Sequence, residues 1–348
     1  MKAFRSDKNP IIKKEDILPS SPNLKILGVF NCGAARFNDE VILLLRVAEA
    51  PKNNNLSKIS VLFFNESSQE LKIKEFSKND NSINTDDPRI IKTSEGAFLT
   101  SISHLRLARS KNGQDFEIEK YPAIFPENEY ERYGIEDPRI TQIDDIYYIT
   151  YVAVSDKTGI TTCLASTIDF INYRRHGVIF LPDNKDAVIF PEKINGFYYA
   201  LNRPESDVFN LKNIWISRSL DLESWGEHEK LMGTREKYWD SNRIGAGAVP
   251  FKTDKGWLEI YHGVSNNNVY SLGAVLLDIK NPAKIIARSK EPILKPEAYY
   301  ETSGFVENVV FTCGLLYEED EVKIYYGASD CSVSYAQISL KDIMSEIF

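Results

Sequence analysis

The sequence predicts an all-β fold built as a β-propeller, and three observations carry that expectation. Short runs of β-branched and aromatic residues, drawing on 18 Tyr and 18 Phe, are punctuated by Gly, Asn and Asp, which is the composition of strands and turns. Extended helical periodicity is absent. One pattern of apolar strand, polar turn and aromatic strand recurs with starts roughly 50 to 60 residues apart, the mark of a repeated sheet.

Taken in order, the repeats are CGAARFNDEVILLLRV from residue 32, DDPRIIKTSEGAFLTSIS from 86, EDPRITQIDDIYYITYVA from 136, FPEKINGFYYALNR from 190, GAVPFKTDKGWLEIYHGV from 247 and NVVFTCGLLYEEDEVKIYYGAS from 308. Each reads as a hairpin of neighbouring strands, giving six hairpins. Several continue into a third strand that ends in a shared phrase, LARSKNGQDFE, LASTIDFINY or ISRSLDLESW. That makes one four-stranded sheet per repeat, and radial repetition of such sheets hides strand edges and leaves a central channel. Two β-sandwiches would also supply many short strands, but nothing in them demands this repeat length. No Pro/Ser-rich linker divides the chain. It is read as a single propeller over residues 29–348, with residues 1–28 as an N-terminal extension packing on it.

Composition removes several classes of function. At 348 residues, 43% hydrophobic and 26% charged, the chain is ordinary globular protein. A net charge of −8 argues against a general nucleic-acid binder. The charged start MKAFRSDKNPIIKKED lacks the apolar core of a secretory peptide, and no apolar run has membrane-spanning length, so a cytoplasmic protein without a membrane partner is expected. Cys32, Cys163, Cys313 and Cys331 are far apart, and His104, His176, His228 and His262 show no ligand spacing. No metal site is expected.

If the repeats superpose, equivalent positions face the axis. They hold Asn31 and Arg46, Asp87 and Arg89, Asp137 and Arg139, Lys185 and Arg203, Arg243 and His262, and Asp330. Carboxylates and amides beside cations suit a sugar or phosphate site better than a structural core. In YGIEDPRIT, strand alternation allows only one of Glu136 and Asp137 to face the axis. Asp137 is either a working acid or a turn residue paired with Arg139, and Asp87 in DDPRI has the same context. Arg203 and Arg243 offer forked donors and Lys185 a compact charge for an anion. GAGAVP matches no nucleotide-binding loop. Tyr238 or Trp239 in KYWDSNRIG could border an acceptor subsite.

Together, VFNCGAARF, LLLRVAE, GIEDPRIT, NKDAVIFPEKINGFYYALNRP, RIGAGAVPFKT, GWLEIYHGV, YETSGFVENVVF and IYYGASD resemble glycoside hydrolase family 130, from about residue 8 to residue 345. The resemblance implies a five-bladed propeller, with the DDPRIIKTSEG hairpin part of an expanded first blade. It implies an inverting phosphorolysis of β-mannosides that gives α-mannose 1-phosphate, with inorganic phosphate as co-substrate, manno-oligosaccharide as the other partner and no cofactor. Asp137 then matches the proton donor, which acts through the sugar's own 3-hydroxyl. Asn31, Arg46 and Asp330 match residues that hold the mannosyl unit, Glu301 matches less closely, and Asp87 remains a substrate-binding candidate. Lys185, Arg203, Arg243 and His262 match the phosphate site. The lysine of NKDAVIFP resembles members acting on β-1,2 bonds. The rival expectations are a β-1,2-mannosidase of the same family and a non-catalytic glycan-binding propeller. Family relatives also suggest a homo-oligomer.

Overall fold

In the computed structural model, which describes residues 3–348 except 54, 56, 81, 88, 207 and 210, five antiparallel sheets form a five-bladed β-propeller. Blade 1 runs from the axis outward as Leu24–Phe37, Glu40–Pro51, Ile102–Ser110 and Glu117–Ile118. Blade 2 is Ile135–Ile143, Ile146–Ser155, Gly159–Thr167 and Arg174–Phe180, and blade 3 is Asn184–Ile189, Tyr198–Pro204, Ile214–Ser219 and Trp225–Met232. Blade 4 has a split inner strand, Arg243–Gly245 and Phe251–Thr253, then Gly256–Val264, Tyr270–Leu277 and Ile285–Arg288. Blade 5 is Val310–Glu318, Glu321–Ala328 and Ser332–Ser339.

Its outermost strand comes from the other end of the chain: Phe4–Arg5 pairs with Ser332–Ser339, placing Phe4 opposite Gln337. The bridge between Ile12 and Val333 continues this clasp. Strands from both ends of the chain thus share one sheet, which covers an edge of the last blade. Residues 1 and 2 of the expected extension lie outside the described residues.

Six hairpins were expected, and one of them is not a blade. The chain leaves blade 1 after its second strand and makes two small hairpins, Lys58–Asn65 with Glu70–Ser77 and Ile90–Thr93 with Gly96–Leu99, before Ile102–Ser110 rejoins the sheet. The DDPRI segment therefore belongs to an insertion, as the family resemblance implies, and Asp87 is not the equivalent of Asp137.

The shared phrase is a repeated turn. Asn112, Asp169 and Asp221 each accept backbone N–H groups two and three residues on, and Ser110, Thr167 and Ser219 cap the same turns. The residue after each Asn or Asp has a left-handed backbone: Gly113 at φ 74°, Phe170 at 54° and Leu222 at 71°. A side chain there costs about 1–2 kcal/mol. Phe170 and Leu222 are buried, and a buried side chain of that size contributes about 1.5–3 kcal/mol, enough to offset it.

Both faces of an inner sheet pack on neighbouring blades, so its strands lose alternation; Gly256–Val264 is buried at every position. The short helix Leu340–Ile347, capped by Ser339, buries Ile343 and Ile347 against blades 4 and 5. Among the described residues no helix is long and apolar enough to cross a membrane.

Candidate active site

The same irregularity interrupts three inner strands. Register shifts fall after Phe30, Glu136 and Lys185, and within them Asn31, Asp137 and Asp186 adopt φ of 48°, 49° and 55°. Asn and Asp are the non-glycine residues that best tolerate this region. A bulge re-aims side chains, and here it brings polar groups toward the axis. They join a cavity of about 500 Å³ lined by all five blades and by Arg89, Ile90 and Leu99 of the insertion.

One end of this cavity is acidic. Asp137 Oδ1 accepts from Asn31 Nδ2 at 3.0 Å and from Arg46 Nη1 at 2.9 Å, while Arg46 Nη2 donates to Glu136 Oε1 at 2.5 Å. Both adjacent carboxylates line the cavity, contrary to the strict alternation expected, because the bulge between them breaks the two-residue period. Asp137 keeps 13% of its side chain exposed. Burial works against the Arg46 charge, but Glu136, Asp137 and Asp330 outweigh it and raise the Arg46 pKa. Asp330, in the turn after Glu321–Ala328, has the opposite balance. Burial and the like charges of Asp137 and Glu136 overcome Arg46 and Arg89 and raise its pKa to about 6.

That shift has a measurable sign. If Asp330 holds sugar hydroxyls, as the family resemblance implies, its carboxylate accepts their hydrogen bonds and protonation weakens that capacity. On that footing the expected substrate kcat/KM falls as pH drops through about 6, and this limb disappears in Asp330→Asn. A pH-rate profile of the two proteins checks it.

The other end is basic. Lys185, Arg203, Arg243 and His262 line it, with Tyr270 beneath the Arg243 guanidinium at 5.7 Å. Arg203 is already paired, with Asp186 at 2.7 Å and Glu205 at 2.8 Å. Among the described residues neither Lys185 nor Arg243 has an ion-pair partner. Lys212 lies in the same field: burial first, and then Arg243, lower its pKa. His262 was expected as a cation and is not one. Burial above all, with Arg203, Arg139 and Arg243, depresses its pKa to about 3 despite Asp186. Arg203 Nη1 lies 3.1 Å from its Nε2 and can only donate, so Nε2 accepts and the proton sits on Nδ1.

Beneath both ends lies Arg139. It does not pair with the Asp137 carboxylate. Its guanidinium donates to the carbonyls of Asp137, Ala246 and Gly247 and to Asp186 Oδ1, joining blades 2, 3 and 4.

Eight of the ten site residues expected from the sequence line this cavity, and Asp87 and Glu301 do not. Asp87 is a support: it holds Arg89 with bonds of 3.0 and 2.8 Å, and Arg89 is the cavity-lining group. Glu301 is fully buried elsewhere, accepting from Arg5, Tyr326 and the N–H groups of Glu297 and Ala298. Burial would raise its pKa, but these donors lower it, so it is a structural anion that fastens the N-terminal strand. Trp239 is packing too, stacked on Tyr261 at 5.5 Å and pressed against Gly263 and Gly273.

Sequence reasoning missed Glu136 and Asp186. Aligning the blade 3 repeat on FPEKING skipped its true inner strand, Asn184–Ile189. Placing NKD against VFN and IED would have put Asp186 in register with Asn31 and Asp137. Among the described residues no group of His, Cys, Asp and Glu is arranged to hold a metal.

A five-bladed propeller whose axial cavity joins carboxylates and an amide to unpaired cations is a carbohydrate-active propeller. The comparisons with known proteins narrow this. Residues 99–347 match the family model described as β-1,4-mannooligosaccharide phosphorylase. Over its whole length the chain is 42% identical to a β-1,2-mannobiose phosphorylase of Listeria innocua, covering 99% of that protein. It is 44% identical to a 1,2-β-oligomannan phosphorylase of Thermoanaerobacter sp., over 70% of this chain and 80% of that one. The Listeria innocua enzyme, solved in complex with β-1,2-mannobiose, superposes with a TM-score of 0.96, covering 100% of this chain and 99% of that one. The chain belongs to glycoside hydrolase family 130.

Proposed function

We propose that this protein is an inverting phosphorylase of β-1,2-linked mannosides that releases α-mannose 1-phosphate. The observation that carries this reading is the pair of cavity-lining cations, Lys185 and Arg243, left without ion-pair partners among the described residues and facing the acidic end that holds Asp137. A phosphate oxygen forms the new bond to the anomeric carbon as the bond to the leaving sugar oxygen breaks. Asp137 supplies the proton that this oxygen takes up, passed along by the 3-hydroxyl of the mannosyl unit. Asn31, Arg46 and Asp330 hold that unit. Arg203 and Arg243 fork onto the phosphate, Lys185 adds charge, and neutral His262 contributes a hydrogen bond.

The phosphate is itself the nucleophile, so no second carboxylate is needed to activate water, as an inverting glycosidase requires. The other cavity carboxylates are committed or differently suited: Asp186 to two arginines, Glu136 to Arg46. The β-1,2 linkage is supported by the relatives at 42% and 44% identity. Residues 29–348 form the catalytic unit in this reading, with the preceding segment clasping it. A product retained as a charged sugar phosphate favours a cytoplasmic location.

The test is incubation with β-1,2- and β-1,4-mannobiose, with and without phosphate. Consumption of the β-1,2 disaccharide only when phosphate is present is expected. Equal rates without phosphate would leave the β-1,2-mannosidase reading in its place.

A further inference from the structure

We propose that Asp186 is a positioning residue for the phosphate subsite, acting through Arg203 and, through Arg139, tying that subsite to the backbone of Asp137. The proposal rests on the phosphorylase reading for its ligand, inorganic phosphate. Asp186 is 1% exposed, so its charge is sustained by its neighbours and not by water. Burial would raise its pKa, yet Arg203, Arg139 and Lys185 hold it down, so the group stays ionised.

Its two oxygens face two arginines. Oδ1 accepts from Arg139 Nη2 at 3.1 Å, and Oδ2 lies 2.7 Å from Arg203 Nη1. The same Nη1 reaches His262 Nε2, so Asp186 and His262 fix one end of the Arg203 fork from two sides. A continuous chain results: Asp137 carbonyl, Arg139, Asp186, Arg203, His262. The backbone is shaped for it. Asp186 occupies a bulge at φ 55°, and Gly245 faces it because a side chain there would strike both the Asp186 carboxylate and the His262 ring.

Charge counting assigns a division of labour. Asp186 and Glu205 together offset the buried guanidinium pair of Arg139 and Arg203, which leaves Lys185 and Arg243 to balance an incoming phosphate. Arg203 then contributes orientation more than net charge. Two opposed effects follow from removing the Asp186 charge: the field at the phosphate becomes more positive, and Arg203 loses its anchor. A buried fork that keeps Glu205 but loses the second of its counter-ions is the larger disturbance, because an amide oxygen cannot serve both facing arginines.

The experiment is a double-mutant cycle of Asp186→Asn and Arg203→Ala, reading the Kd for inorganic phosphate by calorimetry and the separate KM values for phosphate and β-1,2-mannobiose. Asp186→Asn is expected to weaken phosphate by roughly 10- to 100-fold while changing the mannobiose KM by less than about 3-fold. In the Arg203→Ala background the same substitution is expected to add less than about 3-fold, since its effect passes through that side chain. The double variant removes both charges of the pair, and the phosphate Kd of Asp186→Glu against the unmodified protein replaces the cycle if Asp186→Asn alone folds poorly. Asp186→Glu, which keeps the charge but displaces it, is expected to weaken phosphate as well.

Unchanged or tighter phosphate binding in Asp186→Asn, effects that multiply in the cycle, or equal losses for both substrates would overturn the proposal. Phosphate binding without phosphorolysis in the unmodified protein would instead count against the function proposed above and leave this inference standing. No phosphate binding at all would overturn both.

Discussion

Asp137→Asn is expected to lower the turnover of β-1,2-mannobiose by about 10²- to 10⁴-fold, the usual contribution of a positioned proton donor. The substitution keeps the shape of the side chain and its ability to accept from Asn31 and Arg46 through Oδ1. Ground-state binding should therefore survive, with kcat falling and the mannobiose KM little changed. Its neighbours make the result specific. Glu136 lies on the same arginine but is held at 2.5 Å by Arg46 Nη2, so it cannot replace the missing acid without breaking that pair. Steady-state kinetics checks the split, and calorimetric titration with mannobiose checks that binding persists. Full activity in Asp137→Asn would contradict the assignment, and would turn attention to Asp330, the cavity carboxyl with a pKa of about 6.

Arg243→Ala is expected to raise the KM for phosphate by roughly 10- to 100-fold, the cost of a charge-assisted hydrogen bond to an anion at about 1.5–3 kcal/mol. The mannobiose KM should change far less. Arg243 is suited to this test because it has no carboxylate partner among the described residues, so its removal strands no buried anion. Arg203 is the poorer choice: its loss leaves Asp186 and Glu205 short of a partner. Initial-rate kinetics with each substrate varied in turn makes the comparison. Equal rises in both KM values would mean that the basic end holds sugar and not phosphate.

The blades were legible because their turns repeat. Asn112, Asp169 and Asp221 perform one task in three blades, and that task needs an Asn or Asp followed by a residue able to adopt a left-handed backbone. The extra hairpin was misleading because DDPRI copies the local chemistry of EDPRI. The residues alone do not separate the two; the family resemblance implied an expanded first blade, and the sheet pairing of Glu40–Pro51 with Ile102–Ser110 shows the insertion.

The site was legible at residues whose side chains reach the axis from a regular strand position, such as Arg46, Arg203 and His262. It was less so at the bulges. Strand alternation cannot predict that both Glu136 and Asp137 line the cavity, because Asp137 is itself left-handed and sits in a bulge that changes the period. Glu301 shows the limit of resemblance at a single position: its anchors, Arg5 and Tyr326, come from distant parts of the chain, and their convergence is a property of the closed ring. The charge state of His262 was equally out of reach, since it depends first on burial and then on three arginines gathered from other strands.

The central claim is that phosphate, and not water, attacks the mannosyl carbon in the cavity between Asp137 and Arg243. A ³¹P NMR time course of the protein with β-1,2-mannobiose and inorganic phosphate tests it directly. The account predicts that a resonance of α-mannose 1-phosphate grows as the phosphate resonance declines, with one free mannose released per sugar phosphate formed. Release of two mannoses per disaccharide, with the phosphate resonance unchanged, would contradict it.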